Sequence, residues 1–147
     1  VGQGELESQL REKAKQLQIE QDVAFLGLRN DVPELLQAMD LFLFPSLHEG
    51  FSVAFVEAQT TDIKAVISDG VPQESILIPE NVTVIPLKNS AQQWAEKIAE
   101  INNFERKNVA TLIKEKGYDI KENAQKLEKK YKELIQQYKK NPNVISS

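Results

Sequence analysis

Two glutamates eight positions apart lie in the segment of this chain that is best suited to bind a ligand. The segment, residues 45–58, reads P-S-L-H-E-G-F-S-V-A-F-V-E-A, with Glu49 before a predicted helix and Glu57 inside it. The Glu49 carboxylate can accept hydrogen bonds from sugar hydroxyls. The Glu57 carboxylate can bind the vicinal hydroxyls of a ribose, as acidic residues do in dinucleotide-binding folds. From the rise of a helix, the two carboxylates are predicted to lie on the order of 10 Å apart, which suits a sugar and a ribose at the two ends of a diphosphate.

The start of this predicted helix can bind an anion. Free N–H groups and the positive end of the helix dipole point out of a helix N-terminus, and both attract phosphate. Gly50 has no Cβ, so the backbone there can approach a ligand closely. The segment therefore predicts a diphosphate site between the two glutamates.

The glutamate spacing carries no weight by itself. With 16 glutamates in 147 residues, pairs eight apart are expected by chance, and Glu12 and Glu20 form another such pair. The context is informative: a strand, Pro-Ser, Glu-Gly-Phe and then a helix. Each carboxylate also has a simpler interpretation, because Glu57 can be an exposed helix residue and Glu49 can cap the following helix.

Three other side chains near the predicted site have two interpretations each. His48 is a loop residue or a catalyst, and as the single histidine of the chain it cannot form a multi-histidine metal site. Glu74 caps a turn or lines the site. Arg29 contacts a base or phosphate, or is solvated.

Composition excludes several kinds of site. The chain has no cysteine, which excludes disulfides, thiolate nucleophiles and cysteine-ligated zinc and fits a reducing compartment. No apolar run approaches the roughly 18–20 residues that span a bilayer. The first residues, V-G-Q-G, are neither basic nor followed by an apolar stretch, so no signal peptide is expected.

Charge is distributed unevenly along the chain. Residues 1–100 carry 7 basic and 16 acidic side chains, whereas residues 101–147 carry 11 basic and 6 acidic ones. The basic tail is a solvated helix face or a contact with an anionic membrane surface. Lysines alternate there with glutamates, and Arg106 is its one arginine, so nucleic acid is not an expected partner.

The elements that must position the glutamates alternate between strands and helices up to Lys88. Such alternation implies βαβ crossovers, hence an α/β fold with a parallel sheet and flanking helices. Ligands bind such sheets outside the carboxyl ends of the strands, where segments 45–52 and 68–74 lie. Strands are predicted at residues 23–26, 41–44, 65–67 and 82–85. Helices are predicted at about residues 5–18 and about 52–59. A further helix is predicted to be capped by Asp31, with Pro33 in its first turn.

Only helices are predicted after Lys88. Ser90 with Gln93 resembles a capping box before a helix that turns Trp94 inward. A second helix, about 105–116, ends at Gly117. Asp119 with Glu122 resembles another capping box, before a long helix that ends near Lys140, before Asn141-Pro142. Its apolar stripe is predicted to lie in the core, and consists of Leu127, Tyr131, Leu134, Ile135 and Tyr138.

Four segments together resemble a known family. They read V-G-Q-G-E-L-E-S-Q-L, V-A-F-L-G-L-R-N-D-V, D-L-F-L-F-P-S-L-H-E-G-F and V-I-S-D-G-V-P-Q-E. From Val1 to about Ile101 the chain resembles the C-terminal, Rossmann-like domain of retaining family 4 glycosyltransferases of the GT-B fold (glycosyl transferases group 1), many of which build capsular and exopolysaccharides.

The resemblance implies a role for each site residue. Glu49 meets the donor sugar and is the catalytic candidate, while Glu57 binds the ribose. Backbone groups near Leu28 and Arg29 meet the base. Gly50 belongs to the donor site, and the N–H groups of Phe51 and Ser52 meet the phosphates.

The resemblance also implies a reaction and its partners. A sugar moves from a nucleoside diphosphate donor, most simply a UDP-sugar, to an acceptor hydroxyl with retention at the anomeric carbon. No metal or other cofactor is expected. The acceptor, a glycan or lipid-linked sugar, is expected to bind an N-terminal domain that precedes this chain. The phosphate-binding Arg and Lys of the family are expected upstream, on a strand-loop segment that is not part of this sequence. The enzyme is expected in the cytoplasm, at the inner face of the membrane if the basic tail contacts it. Rival interpretations are a sugar-nucleotide epimerase or phosphorylase of similar fold and a non-catalytic α/β module.

The chain departs from the family pattern at two places. Asp62 and Lys64 stand where glycine and proline are usual. Asp69-Gly70 stands where Gly-Gly is frequent, with one residue fewer. The loop beside the sugar is therefore expected to differ in shape.

The organisation predicted is one nucleotide-sugar-binding domain, residues 1–101, on which helices from residues 102–147 pack. Val1-Gly2 resembles the tail of a strand, and a sheet order of 3-2-1-4-5-6 places two strands between residues 23–26 and 41–44. An N-terminally truncated chain is expected either to pair those two segments directly or to associate with a second copy, and to be inactive alone.

Overall fold

A three-stranded parallel sheet lies at the centre of the chain. In the computed structural model, which describes residues 1–101 and 104–140, the strands are β1 (Leu41–Phe44), β2 (Lys64–Ser68) and β3 (Val82–Ile85), in that order across the sheet. Because all three run parallel, their carboxyl ends meet at one edge. The predicted α/β fold with a parallel sheet and flanking helices is confirmed.

Both faces of the sheet are covered, which explains the apolar run 65–67 at the centre of β2. On one face, Ala65 and Ile67 pack against Phe55. On the other, Val66 packs against Trp94. The expected inward position of Trp94 is therefore confirmed.

Six helices flank or follow the strands in the described residues. Ser52 caps α3, and Ser90 with Gln93 forms the expected capping box of α4. The helices are α1 (Glu7–Gln16), α2 (Val32–Ala38), α3 (Val53–Gln59), α4 (Ala91–Ala99), α5 (Ala110–Glu115) and α6 (Ile120–Lys140). None of the described helices is both long and apolar enough to cross a membrane.

The helix expected from about residue 105 begins only at Ala110. The preceding segment is held in a non-helical path by long-range bonds. The Arg106 guanidinium donates to the carbonyls of Leu36 and Met39, and the Lys107 N–H donates to the Asp62 carboxylate at 2.6 Å. The prediction that Gly117 ends this helix is confirmed by its φ of +86°.

The predicted strand at residues 23–26 is wrong. This segment lies outside the sheet, and its neighbour Gly27 accepts a 2.7 Å hydrogen bond from the N–H of Gly2. A strand needs a partner for its backbone groups, and no described segment lies beside it in a ladder. It does not pair with β1, so the rearranged sheet is not formed. The order β1-β2-β3 matches the last three strands of the 3-2-1-4-5-6 arrangement.

The apolar stripe of α6 was expected in the core, and this is wrong. No residue of Ile120–Lys140 is buried, and the stripe residues are between 42% and 59% exposed. The apolar spacing predicts a face that can be buried, but none of the described elements covers it.

The second capping box is half formed. One Asp119 carboxylate oxygen accepts the N–H groups of Lys121 and Glu122. The Glu122 carboxylate instead pairs with Lys114 at 2.9 Å. The expected helix end at Asn141-Pro142 lies outside the described residues.

Helix α5 contacts the sheet domain. Ile113 shares a buried cluster with Val56, Leu77 and Ile78. The division into residues 1–101 and 102–147 stays a prediction.

Candidate functional site

The loops that follow β1 and β2 are bonded to each other at the carboxyl edge of the sheet. The Ser68 hydroxyl donates to the carbonyl of Ser46, and the N–H of Glu49 donates to the carbonyl of Gly70 at 3.2 Å. A Cβ on Gly70 would lie 2.6 Å from the carbonyl oxygen of Leu47. The absence of a side chain at residue 70 therefore allows the two loops to touch.

The carboxylate of Glu49 is half-buried in this loop. Its Oε1 accepts a 2.7 Å hydrogen bond from the hydroxyl of Ser46, the one side-chain bond recorded for it within the described part of the chain. Glu49 does not cap α3, because the Ser52 hydroxyl accepts the Phe55 N–H at 3.4 Å. The Glu49 carboxylate thus retains one oxygen for a ligand.

A cavity of about 540 Å³ brings together three of the residues expected to bind the donor. Leu28, Arg29 and Glu57 all line it, with α2 and β1 supplying most of the remaining apolar wall. Glu57 projects from the exposed side of α3, while Phe55, Val56, Ala58 and Gln59 form the buried side. A carboxylate, a guanidinium and an apolar wall in one cavity can bind a ligand that has hydroxyls, charge and a flat ring.

Arg29 is held in place by Asp31. Its Nε donates to Oδ1 of Asp31 at 2.7 Å, and a second guanidinium nitrogen donates to Oδ2. This hydrogen bond, with the charge of Asp31, raises the pKa of Arg29, and the same bond lowers the pKa of Asp31. Asp31 lies at the expected start of α2, but its side chain makes no cap.

The remaining predicted donor residues lie at the start of α3. Gly50 is exposed, and nothing lies within 4 Å of the position a Cβ would take. Phe51 stacks on Tyr118, with ring centroids 6.0 Å apart and an angle of 5° between the planes. Ser52 is buried. Of the described residues, Glu49 to Ser52 do not line the cavity of Glu57, so the predicted residues form two adjoining groups.

His48 and Glu74 are both exposed. The backbone carbonyl of His48 lies 3.4 Å from the Ser46 hydroxyl. Glu74 lies in a short 3-10 turn after β2, residues 73–75. Neither side chain has a recorded hydrogen bond in the part of the chain that the structure describes.

Gln59 is a structural residue of this region that sequence reasoning missed. Its side chain is buried, donates to the carbonyl of Ser75 at 2.8 Å and accepts the N–H groups of Leu77 and Ile78. It therefore ties α3 to the loop after β2. The sequence does contain a signal for this role. The amide of Gln59 lies on the same helix face as the apolar Phe55 and Val56, and a polar side chain on a buried face needs hydrogen-bond partners there.

Asp62 and Lys64 do not shape the sugar loop, contrary to expectation. They precede or begin β2 and so lie at the opposite edge of the sheet. Asp62 has a φ of 56°, a conformation that glycine adopts easily, and its carboxylate accepts from Asn81 at 2.6 Å. Lys64 Nζ donates to the Asn81 side chain at 2.7 Å. These two residues form a polar network that joins the amino ends of the strands.

Residues 1–127 match the family described as Glycosyl transferases group 1. The chain belongs to this family. Within residues 1–101 and 104–140, this group 1 glycosyltransferase chain has no group of three or more acidic or histidine side chains placed to hold a metal ion.

Curated relatives of this group 1 glycosyltransferase chain are much longer than it is. It is 32% identical over 126 residues to EpsF of Bacillus subtilis (strain 168), which is named as a glycosyltransferase; the match covers 84% of this chain and 33% of EpsF. It is 39% identical over 70 residues to UDP-Gal:alpha-D-GlcNAc-diphosphoundecaprenol alpha-1,3-galactosyltransferase of Escherichia coli, covering 47% of this chain and 18% of that relative. The chain therefore spans about a third or less of these relatives.

A third relative is similar over a shorter stretch. This is N,N'-diacetylbacillosaminyl-diphospho-undecaprenol alpha-1,3-N-acetylgalactosaminyltransferase of Campylobacter jejuni, 47% identical over 47 residues, 32% of this chain and 12% of the relative.

Proposed function

We propose that this chain is the donor-binding part of a retaining glycosyltransferase. The enzyme moves a sugar from a nucleoside diphosphate sugar to an acceptor hydroxyl with retention at the anomeric carbon. The observation that carries this proposal is the cavity of about 540 Å³ lined by Leu28, Arg29 and Glu57. Its volume lies within the usual range for small-ligand sites, about 300–1,000 Å³, and it adjoins the loop of Glu49.

Each group of the donor has a counterpart in the two adjoining groups of residues. The Glu57 carboxylate accepts the ribose hydroxyls, and the backbone near Leu28 and Arg29 meets the base. Backbone N–H groups of Phe51 and Ser52 donate to the diphosphate, which gains charge as it leaves and needs such donors in the transition state. Glu49 contacts the transferred sugar.

The names of two relatives suggest the partners. One names a UDP-Gal donor, and both name a diphosphoundecaprenol-linked sugar. We propose a UDP-sugar as donor, with no other cofactor, and a lipid-linked sugar as acceptor in polysaccharide synthesis. Such an acceptor would place the enzyme in the cytoplasm at the inner face of the membrane.

Calorimetric titration of the complete protein with UDP, GDP and ADP tests the proposal. We expect one site and a clear preference for UDP. Binding of none of the three would favour a non-catalytic module. Binding of a UDP-sugar followed by its epimerisation, without transfer, would favour the epimerase.

Replacement of Glu57 by alanine tests the site itself. A charged acceptor contributes about 1.5–3 kcal/mol per hydrogen bond, so Glu57→Ala should weaken UDP binding roughly 10- to 150-fold. The control is Glu80→Ala, at an exposed glutamate beyond the opposite edge of the sheet, which should bind UDP like the wild type. Equal affinities of the two variants would contradict the assignment of Glu57.

A further inference from the structure

Ser46 has no role in the proposed donor site, yet its side chain contacts the carboxylate of Glu49. Its hydroxyl lies 2.7 Å from Oε1 of Glu49 and 3.4 Å from the carbonyl oxygen of His48. A hydroxyl has one hydrogen to donate, and the nearer, charged acceptor forms the stronger bond. The Ser46 hydroxyl therefore donates to the carboxylate of Glu49.

Ser46 is itself anchored to the sheet. Its carbonyl accepts the hydroxyl of Ser68, which ends β2 and is completely buried. The backbone of Glu49 is bonded to the next turn through Gly70. The loop is thus fixed at one point to β2, the most deeply buried strand, and at a second point to the turn that follows β2. Ser46 extends this support to the side chain of Glu49.

We propose that Ser46 is a positioning residue that orients the carboxylate of Glu49 for the reaction. It holds Oε1 and limits rotation of the carboxylate, which leaves Oε2 for a hydroxyl of the transferred sugar. The inference rests on the proposed role of Glu49. A displacement of a reacting group by about 1 Å can slow an enzyme up to 100-fold, so loss of this one bond should reduce turnover about tenfold.

Kinetics of the complete protein with a UDP-sugar test the inference. We expect Ser46→Ala to lower kcat about tenfold, with the Kd for UDP within twofold of wild type. Ser46→Thr, which retains the hydroxyl, should recover most of the loss. Ser90→Ala removes a serine hydroxyl that caps α4 and should leave kcat unchanged, which controls for a general effect on stability.

A double-mutant cycle with Glu49→Ala, which removes the acceptor of the Ser46 hydroxyl, separates positioning from a structural role. If Ser46 acts through Glu49, adding Ser46→Ala to Glu49→Ala should slow turnover no further. Additive losses would overturn the inference. If Ser46→Ala does not fold, Ser46→Cys nearly retains the size of the side chain with a weaker donor, and it should give a smaller loss of kcat that is likewise absent in the Glu49→Ala background.

Failure of the inference and failure of the proposed function give different results. Normal turnover of Glu49→Ala would remove the proposed role of Glu49 and the inference with it. Slow turnover of Glu49→Ala with normal turnover of Ser46→Ala would overturn the inference alone. A tenfold loss in Ser46→Thr as well would also overturn it, because the hydroxyl would then not be what matters.

Discussion

At Gly70, the addition of a single methyl group should displace the loop that carries Glu49. An added methyl group would lie 2.6 Å from the carbonyl oxygen of Leu47 and 2.8 Å from that of Ser46. These are backbone atoms, so the loop must move. We expect Gly70→Ala to lower the free energy of unfolding by about 1–3 kcal/mol and to slow turnover, because the loop carries Glu49. Denaturant unfolding and UDP-release kinetics measure the two effects.

Gly50→Ala is the matched control. Nothing lies within 4 Å of the added Cβ, and the position has no positive φ, so stability should stay within about 0.5 kcal/mol of wild type. If the backbone of Gly50 approaches the diphosphate, the variant should bind UDP more weakly without being less stable. A Gly70→Ala variant as stable as Gly50→Ala would show that the two loops do not need their close contact.

At the scale of residues, sequence patterns single out two candidate carboxylates but not the contacts that support the loop of Glu49. Glu49 and Glu57 stand out because a strand, a glycine and a helix surround them in a short segment. The Glu49 carboxylate is bonded to the nearby Ser46. The loop that carries both residues is held by Ser68 and Gly70, some twenty residues later, and this support depends on how two loops meet. The contact between these two loops depends on the tertiary fold. It therefore leaves no local pattern in the sequence from which it could be predicted.

The first turn of α6 is the element whose stability should depend most clearly on pH. Asp119 accepts the N–H groups of Glu122 and Lys121, and these bonds, the one from Glu122 foremost, lower its pKa from the usual 3.8. The charges of Lys114 and Lys121 act in the same direction. Because the pKa is lower in the folded state, the stabilisation is fully present above about pH 4 and is lost as the pH falls through the folded value.

We therefore expect wild-type helicity, measured by far-UV circular dichroism, to decrease as the pH falls from 4 towards 2. Asp119→Asn retains a capping oxygen but carries no charge, so it should lose less helicity over the same range. The other carboxylates are common to both proteins and cancel in the comparison. Identical pH curves for the two proteins would contradict a role of the ionised Asp119.

At the scale of elements, the errors share a physical cause. Periodicity and capping predicted α1, α3, α4 and the three strands because local spacing and buried apolar runs specify them. Residues 23–26 have a strand-like composition but no described ladder partner. The start of α5 is delayed by the bonds of Arg106 and Lys107. Both outcomes depend on partners remote in the sequence, which a local pattern does not contain.

For the molecule as a whole, the described core and the longest helix are separate. Buried apolar residues lie around the sheet and under α5, whereas α6 contributes none. The stripe of α6 shows that an amphipathic pattern predicts a helix reliably but does not identify what the helix contacts. Membrane contact and self-association, which the sequence analysis left open as alternatives, stay predictions.

This separation means that the chain should not unfold in a single transition. Trp94 is the only tryptophan of the chain and lies in the cluster of Val66 and Ile85, so its fluorescence reports on the sheet. With 21 residues, α6 contributes more to the helical ellipticity than any other described helix, and a helix without tertiary packing melts gradually. We expect ellipticity at 222 nm to fall earlier and over a wider temperature range than the tryptophan signal shifts.

Coincident curves from the two probes would contradict this expectation, because coincidence is the mark of a two-state transition. If the curves separate, a melting temperature measured by fluorescence describes the sheet, and one measured by ellipticity is a weighted average of two processes. The free energy of unfolding is then a property of a part of the molecule, and it has to be assigned to that part by the probe that measured it.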